Sequence, residues 1–110
     1  DQVLRGVPAS GGQAIGKARV VRSPDEFHSL QAGEVLVCPY TDPTWTPLFA
    51  LAAAVVADSG GPLSHAAIVA REYGLPAVLG TGCATSLPDH AMLRVDGTRG
   101  TVAIVDDERA

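Results

Sequence analysis

The sequence predicts a single α/β domain that combines parallel and antiparallel strands in mixed sheets with a few short helices. A strand, a helix and a second strand follow one another within residues 34–57, an order that implies a right-handed crossover between parallel neighbours. A hairpin around Asp96-Gly97 requires an antiparallel pair near the end of the chain. Residues 14–21 alternate between two faces, as a half-exposed strand should.

Length and composition set the size of the domain. The chain has 110 residues, enough for one domain, and 46% of them are hydrophobic, which is enough to form a core. No room remains for a separate substrate or nucleotide domain. The chain begins with Asp1 rather than Met. We therefore expect residues 1–110 to be one domain of a longer multidomain enzyme, with processing of an initiator methionine as the alternative.

Charge and hydropathy exclude several classes of function. The net charge of −4, without a basic run, argues against nucleic-acid binding, which needs a positive surface. The longest apolar run, residues 47–57, is too short to span a bilayer, and no segment resembles a signal peptide. We therefore expect a cytoplasmic protein. Cys38 and Cys83 lack metal-binding or redox spacing, so we expect buried, reduced thiols and no metal site.

The beginning of the chain is predicted to form two strands. Residues 3–7 are short and apolar and end at Pro8, which suits an edge strand or the start of a sheet. Residues 9–12, which include two glycines, are predicted to turn. On the alternating strand that follows, Lys17 and Arg19 share a face that we expect to be solvated.

A short surface helix and a buried strand come next. Residues 23–26 have the pattern of a capping box with proline at the first helical position, and Gly33 supplies the stop. His28 lies between charged and polar neighbours and should face solvent. Residues 34–39 are rich in valine and leucine, which is typical of a strand buried on both faces.

The crossover after this strand should bring polar residues to one edge of the sheet. Thr46-Pro47 can start its helix, whose inner face is predicted to be lined by Leu48, Leu51 and Ala52. Because parallel strands end at the same edge, Thr41 and Asp42 should lie beside Gly60 and Gly61, where open α/β sheets place ligands. Trp45, in the same connection, fits either a core position or an exposed docking position.

A loop and a short helix follow the second strand. Gly60 and Gly61 permit backbone conformations that other residues disfavour, and Ser64 can cap the first helical turn. Gly74, followed by Pro76, ends the helix. The residues predicted to face the core are Ala66, Val69, Ala70 and Tyr73.

This arrangement places His65 at the first helical position. A helix N-terminus carries partial positive charge and free N–H donors, which suit a phosphate. A neutral imidazole is also a good nucleophile near neutral pH. One hypothesis is therefore that His65 carries a phosphoryl group, with the small Ala66 and Ala67 leaving room for a large donor. The alternative from the residues alone is a partly exposed, hydrogen-bonded histidine.

The remainder of the chain is predicted to be mostly strand. Residues 77–80 form a short buried strand, and residues 82–90 form a loop with a possible single turn. His90, at the end of this loop, is interpreted as a turn residue. Residues 92–95 and 101–105 are the strands of the closing hairpin.

Residues 60–72, together with Gly74, Pro76, Ala77 and Val78, resemble the signature of a known family. This is the phosphohistidine, or swivelling, domain of phosphoenolpyruvate-utilising enzymes, which include pyruvate phosphate dikinase, phosphoenolpyruvate synthase and rifampicin phosphotransferase. The likeness extends over residues 4–105. Residues 41–49 and 70–78 are most similar to the rifampicin phosphotransferase branch.

The resemblance implies a β/β/α swivelling architecture and a phosphocarrier function. In such a domain His65 would be the nucleophile that accepts the β-phosphate of ATP and passes it to an acceptor on another domain. The phosphate-supporting residues would be Gly60, Gly61, Ser64 and Ala66. Further candidates for a role at the site are Thr41, Asp42 and Arg71.

The resemblance also implies partners that this chain does not contain. ATP and Mg²⁺ would bind an ATP-grasp nucleotide domain of the same protein, and an acceptor-binding domain would hold pyruvate or phosphoenolpyruvate, or rifampicin. The isolated domain would then be catalytically incomplete. Leu63 stands where some relatives carry a regulatory threonine, so control of that type is not expected. The alternative function is a non-catalytic docking or regulatory module, against which an intact His65 argues.

Overall fold

The computed structural model describes residues 3–105. Eight strands lie in this part of the chain: β1 (Val3–Arg5), β2 (Val7–Ser10), β3 (Gln13–Val20), β4 (Val35–Cys38), β5 (Ala54–Ala57), β6 (Ala77–Leu79), β7 (Met92–Asp96) and β8 (Thr101–Ile104). The α-helices are α1 (Thr46–Phe49) and α2 (His65–Tyr73). Short 3-10 helices span Pro24–Ser29, Pro43–Trp45 and Ala84–Ser86. None of the described helices has the length and apolar character needed to cross a membrane.

The strands form one mixed sheet in the order β1-β8-β7-β3-β4-β5-β6-β2. Strands β3, β4, β5 and β6 are parallel neighbours, and the other pairs are antiparallel. The strands at the two ends of this order, β1 and β2, are joined through Gly6 alone. A Cβ atom on Gly6 would lie 2.3 Å from the carbonyl oxygen of Leu79. Only glycine therefore fits where the chain passes from one edge of the sheet to the other.

Two hydrophobic cores divide the domain into three layers. Alternate residues of β4, β5 and β6 pack either against the helices or against the inner face of β7 and β8. On β4, for example, Leu36 and Cys38 face the helices, whereas Val35 and Val37 face the antiparallel strands. All residues of these three strands are buried. The β/β/α architecture expected from the resemblance is confirmed.

The strand–helix–strand prediction for residues 34–57 is also confirmed. Strands β4 and β5 pair in parallel, with Val35 opposite Ala54 and Cys38 opposite Ala57. Trp45, within the connection, is only 1% exposed and packs edge-on against Phe27, with 4.8 Å between the ring centroids. It is therefore a core residue and not an exposed docking residue.

The predicted end of the first strand was wrong. Pro8 does not end a strand but lies within β2, opposite Val78, and Ala9 and Ser10 continue that strand instead of turning. The reason is that β2 is an edge strand, paired only with β6, so that proline's missing N–H removes no ladder hydrogen bond.

Several side chains differ from their predicted environments. Leu51 is exposed because it follows the end of α1 at Phe49. Tyr73 is exposed at the C-terminal end of α2. Cys83 is exposed, on the loop after β6, whereas Cys38 is buried as predicted, and both are free thiols. Ser23 makes no side-chain capping bond. The Glu26 carboxylate accepts from the amide of Arg22, so the predicted capping box does not form.

Arg19 is not a freely solvated residue. Its guanidinium donates to both carboxylate oxygens of Glu34, at 3.0 and 2.9 Å, and the Glu34 carboxylate also accepts from the amide of Gln31 at 2.8 Å. The hydrogen bond from Arg19 is the main reason that the pKa of Glu34 lies below its ordinary value of 4.5. This pair links the end of β3 to the start of β4.

Replacing Glu34 with Gln should therefore change the acid stability of the domain. A carboxyl group whose pKa is lower in the folded state stabilises the fold above its unfolded pKa, and this contribution disappears as the pH falls through the folded value. Glu34→Gln should lower the free energy of unfolding by about 2 kcal/mol at pH 7, with a smaller difference below pH 4.5. Urea unfolding at several pH values measures this, with the exposed Asp25→Asn as control. An acid dependence equal to that of the unmodified chain would contradict the role of the pair.

Candidate functional site

His65 begins α2, as predicted, and Ser64 caps the helix. The Ser64 hydroxyl accepts from the amide of Ala67 at 3.4 Å and donates to the carbonyl of Gly61 at 2.8 Å. At the other end Gly74 adopts the left-handed conformation, with φ at +70°. Both predicted helix boundaries are therefore confirmed.

Two threonine hydroxyls hold the imidazole ring of His65. Thr41 Oγ1 lies 2.8 Å from Nδ1, and Thr46 Oγ1 lies 3.2 Å from Nε2. Both threonines belong to the crossover between β4 and β5, which passes the N-terminus of α2. The ring of Phe49, from the same crossover, meets the imidazole edge-on at 6.0 Å between centroids. The ring is thus fixed in position and orientation by one connection of the chain.

Sequence reasoning identified Thr41 but missed Thr46. Thr46 was taken only as the start of α1, because a threonine before a proline is a common helix signal. The available signal was topological: Thr46 lies on the same crossover as Thr41, so both approach the same edge of the sheet. We define Thr41, Thr46 and His65 as the histidine clamp.

Asp42 lies next to the clamp but its carboxylate is already engaged. Its Oδ1 accepts from the amide of Thr44 at 2.9 Å and from the Thr44 hydroxyl at 2.6 Å. These hydrogen bonds, the side-chain one first, lower the pKa of Asp42, and the proximity of His65 contributes less. Asp42 therefore caps the 3-10 helix at Pro43–Trp45 and makes no hydrogen bond to the imidazole among the described residues.

Arg71 is directed away from His65. Its Nε donates to the carbonyl of Ala9 at 2.9 Å, and its Nη2 donates to the carbonyl of Pro62. The side chain thus ties the loop before α2 to β2. Both hydrogen bonds go to backbone carbonyl groups, and neither reaches the imidazole ring.

The two glycines before the helix differ in their structural requirements. Gly60 has φ at +114°, and a Cβ atom there would lie 3.1 Å from Ser64 Oγ and 3.4 Å from a methyl group of Leu79. Gly61 has no such φ, and a Cβ atom there would meet nothing within 4 Å. The prediction that both glycines have special backbone conformations holds only for Gly60.

Ala66 and Leu63, the neighbours of His65 that remain to be described, differ in exposure. Ala66 is buried in the core under α2, so its side chain contributes packing while its amide belongs to the open first turn. Leu63 is 85% exposed at the tip of the loop and offers no hydroxyl near His65. Within residues 3–105, no three His, Cys, Asp or Glu side chains come together as a metal site would require.

The fold and the site together define a class of protein. A β/β/α domain with a clamped histidine at the start of its longest helix belongs to the swivelling type. Residues 30–100 match the family model described as PEP-utilising enzyme, mobile domain, and the chain belongs to this family.

Curated relatives agree with this assignment. The chain is 50% identical over 101 residues to an uncharacterised phosphotransferase, YvkC, of Bacillus subtilis and 50% identical over 102 residues to a phosphoenolpyruvate synthase of Aeropyrum pernix. It is 45% identical over 106 residues to a rifampicin phosphotransferase of Streptomyces sviceus. These matches cover 91%, 91% and 96% of the chain, but only 12% of each relative. The matched region is therefore a small part of each relative.

Solved structures show the same fold. A solution structure of Enzyme I is 29% identical, with a TM-score of 0.62, over 76% of this chain and 35% of that chain. Aconitase X of Thermococcus kodakaraensis has a TM-score of 0.74 over 96% of this chain and 100% of that chain, at 21% identity. At that identity the likeness to aconitase X concerns the fold alone.

The difference between the two glycines can be tested by alanine substitution. Gly60→Ala should lower the free energy of unfolding by about 1–2 kcal/mol, because alanine is strained at a positive φ. Gly61→Ala, the matched control, should change it by less than about 0.5 kcal/mol. Urea unfolding followed by circular dichroism measures both values. If Gly61→Ala were the more destabilising of the two, the loop geometry described above would be incorrect.

Proposed function

We propose that the chain is the phosphocarrier domain of a larger phosphotransferase, in which His65 accepts the β-phosphate of ATP and delivers a phosphoryl group to an acceptor on another domain. The histidine clamp is the observation that carries this proposal. A nucleophile must present one nitrogen in a defined direction, and the hydrogen bonds to both ring nitrogens of His65 fix that direction.

The clamp suggests which nitrogen reacts. Neutral imidazole has one N–H donor and one lone pair, and each threonine hydroxyl can donate or accept. With the proton on Nδ1 donated to Thr41 at 2.8 Å, the lone pair resides on Nε2, whose contact with Thr46 is the longer one at 3.2 Å. In the proposed reaction, attack on the donor replaces this weaker hydrogen bond.

The proposed transfer balances as follows. A bond forms between Nε2 and the β-phosphorus of ATP. The bond from the β-phosphorus to the oxygen that it shares with the α-phosphorus breaks, and AMP leaves with that oxygen. Water then removes the γ-phosphate as inorganic phosphate, which leaves one phosphoryl group on His65. The open amides of the first turn of α2, at His65 and Ala66, are suited to stabilise its negative charge.

The chain itself offers little positive charge for this chemistry. Phosphoryl transfer requires metal ions and cations around the migrating group. Arg71, the basic residue of α2, is engaged with two backbone carbonyl groups. We therefore propose that an ATP-grasp nucleotide domain supplies ATP, Mg²⁺ and the missing cations, and that the carrier swings between this domain and the acceptor-binding domain.

The acceptor is a phosphotransferase substrate of the kind that the relatives' names indicate. The relatives at 50% and 45% identity are a phosphoenolpyruvate synthase and a rifampicin phosphotransferase, so the acceptors we propose are pyruvate and rifampicin. Since the proposed donor is ATP, the proposed location is the cytoplasm. A non-catalytic docking module, the alternative function, would not require two hydroxyls on the imidazole ring.

The nucleophile can be tested without any partner domain. Phosphoramidate phosphorylates reactive histidines directly, so the 110-residue chain should acquire one acid-labile, alkali-stable phosphate at His65. Phosphorus NMR and peptide mapping detect it. His28 and His90 serve as internal controls, since both are exposed. A label that persists in His65→Ala, or that maps first to His28 or His90, would refute the assignment.

The clamp predicts a specific effect of removing one hydroxyl. Thr41→Val preserves shape but leaves Nδ1 without its partner, so the rate of phosphorylation by phosphoramidate should fall at least about tenfold. Thr101→Val, on the far side of the domain, is the matched control and should react at the rate of the unmodified chain. Equal rates for both variants would mean that Thr41 does not position the ring.

The isolated chain should not turn over ATP. Incubation with ATP and Mg²⁺, with and without pyruvate or rifampicin, should release no AMP beyond background, because residues 3–105 contain no cluster of metal ligands and Arg71 is engaged with backbone carbonyl groups. Chromatography of the nucleotides measures this. Sustained AMP production that disappears in His65→Ala would show that the domain is a complete enzyme.

A further inference from the structure

The basic residues of the described chain are unevenly distributed. The sequence has eight Lys and Arg residues, of which Arg109 lies outside the described part. Arg19, Arg22 and Arg71 each donate to groups within the chain. The other four, Arg5, Lys17, Arg94 and Arg99, are exposed and belong to β1, β3, β7 and the β7–β8 turn. Half of the chain's eight basic residues thus lie on three strands, β1, β3 and β7, and on the β7–β8 turn.

The strand register places Arg5, Lys17 and Arg94 on one surface, and Arg99 lines the same depression as Arg94. Val3 of β1 lies opposite Ala103 of β8, Ala103 lies opposite Arg94 of β7, and Arg94 lies opposite Ile15 of β3. In a pleated sheet, residues opposite one another share a face. Arg5 and Lys17 lie two residues along from Val3 and Ile15, so they point to that same face. We call the surface that carries Arg5, Lys17, Arg94 and Arg99 the cationic face.

Apolar side chains lie between the cations. Ile15 is 57% exposed and Val3 is 49% exposed, although both are large hydrophobic residues. The opposite face of the same strands packs on β4–β6. The helix layer, which contains His65, is on the far side of β4–β6, so a partner seated on the cationic face would leave the histidine free.

Asp96 is the acidic residue of this face among those described; it is buried, and its Oδ2 lies 4.0 Å from Nε of Arg99. The Asp96 carboxylate accepts from the amides of Thr98 and Arg99 and from the Gln13 side chain. It lies beside an open depression of about 500 Å³ that Arg94 and Arg99 also line. A small anion bound there would meet this carboxylate, which disfavours a phosphate ligand. Nucleic acid is disfavoured by the net charge of −4 and by the apolar residues between the cations.

A second copy of the chain does not fit either. A closed dimer would place the same surface of each copy in contact, which here brings cations against cations. We propose instead that the cationic face docks an acidic protein surface with apolar residues among its carboxylates, presented by a neighbouring domain of the same protein. This partner rests on the proposed function, in which the chain is one domain of a larger protein. Apolar contact with complementary charge around it is the usual composition of such an interface.

A defined probe tests the chemistry of this surface. The probe is a short glutamate-rich peptide with leucine side chains, titrated into the ¹⁵N-labelled 110-residue chain. Amide shifts should be confined to β1, β3, β7, β8 and the β7–β8 turn, and should decrease with added salt. A carbodiimide joins carboxylates to amines, and Lys17 is the chain's single lysine. Once the α-amine of the chain has been acetylated, the reagent should therefore join the glutamates of the peptide to Lys17.

Charge reversal supplies the matched comparison. Arg94→Glu should raise the dissociation constant of the peptide about tenfold, because a like charge then faces the glutamates. Arg22→Glu makes the same change in net charge outside the cationic face and should alter the constant less than about twofold. Equal effects of the two variants, shifts that map to α2, or no binding would overturn the proposal. So would tighter binding of inorganic phosphate or duplex DNA, or self-association in sedimentation.

This outcome is separable from that of the phosphocarrier proposal. Arg94→Glu should still be phosphorylated by phosphoramidate at the rate of the unmodified chain, and His65→Ala should still bind the peptide. If the unmodified chain is phosphorylated at His65 but does not bind the peptide, the docking proposal alone is overturned. Intact peptide binding without phosphorylation of His65 overturns the carrier proposal alone.

Discussion

The parallel pairing of β4 with β5 is the constraint on which the histidine site depends. Parallel neighbours cannot be joined by a tight turn, so the chain must cross over the sheet from the end of β4 to the start of β5. That crossover carries Thr41, Thr46 and Phe49 past the N-terminus of α2. Because both faces of β4 and β5 are buried, a slip of one residue in their register would turn apolar side chains to the wrong layer. The core therefore also fixes the hydroxyls that hold His65.

The two sides of the domain differ in charge and in the partners that they suit. Around His65 the described cation, Arg71, is engaged with backbone carbonyl groups, so phosphate chemistry there depends on charge from elsewhere. On the opposite side the cations are exposed and lie among apolar residues. In the proposed function, a neighbouring domain could therefore bind the cationic face without covering His65. This arrangement links the proposed reaction to the proposed docking surface.

Local signals were sufficient where a residue type has one strong structural meaning. The Ser64 cap, the Gly74 stop and the turn after Asp96 follow from the hydrogen-bonding capacity of serine and aspartate and from the freedom of glycine. Contacts between distant segments were not accessible in this way. The strand continues past Pro8 because β2 pairs with β6, which lies far along the chain, and Thr46 was missed because its partner is 19 residues away. The pair of Arg19 with Glu34 likewise depends on the β3–β4 register.

The central claim is that Thr41 holds a neutral imidazole so that Nε2 of His65 attacks phosphorus. Long-range ¹H–¹⁵N NMR of the ring, recorded before and after treatment with phosphoramidate, tests it directly. We predict a proton on Nδ1 before the reaction and coupling between phosphorus and Nε2 after it. Phosphorus attached to Nδ1, or a ring that is unchanged after treatment, would contradict it.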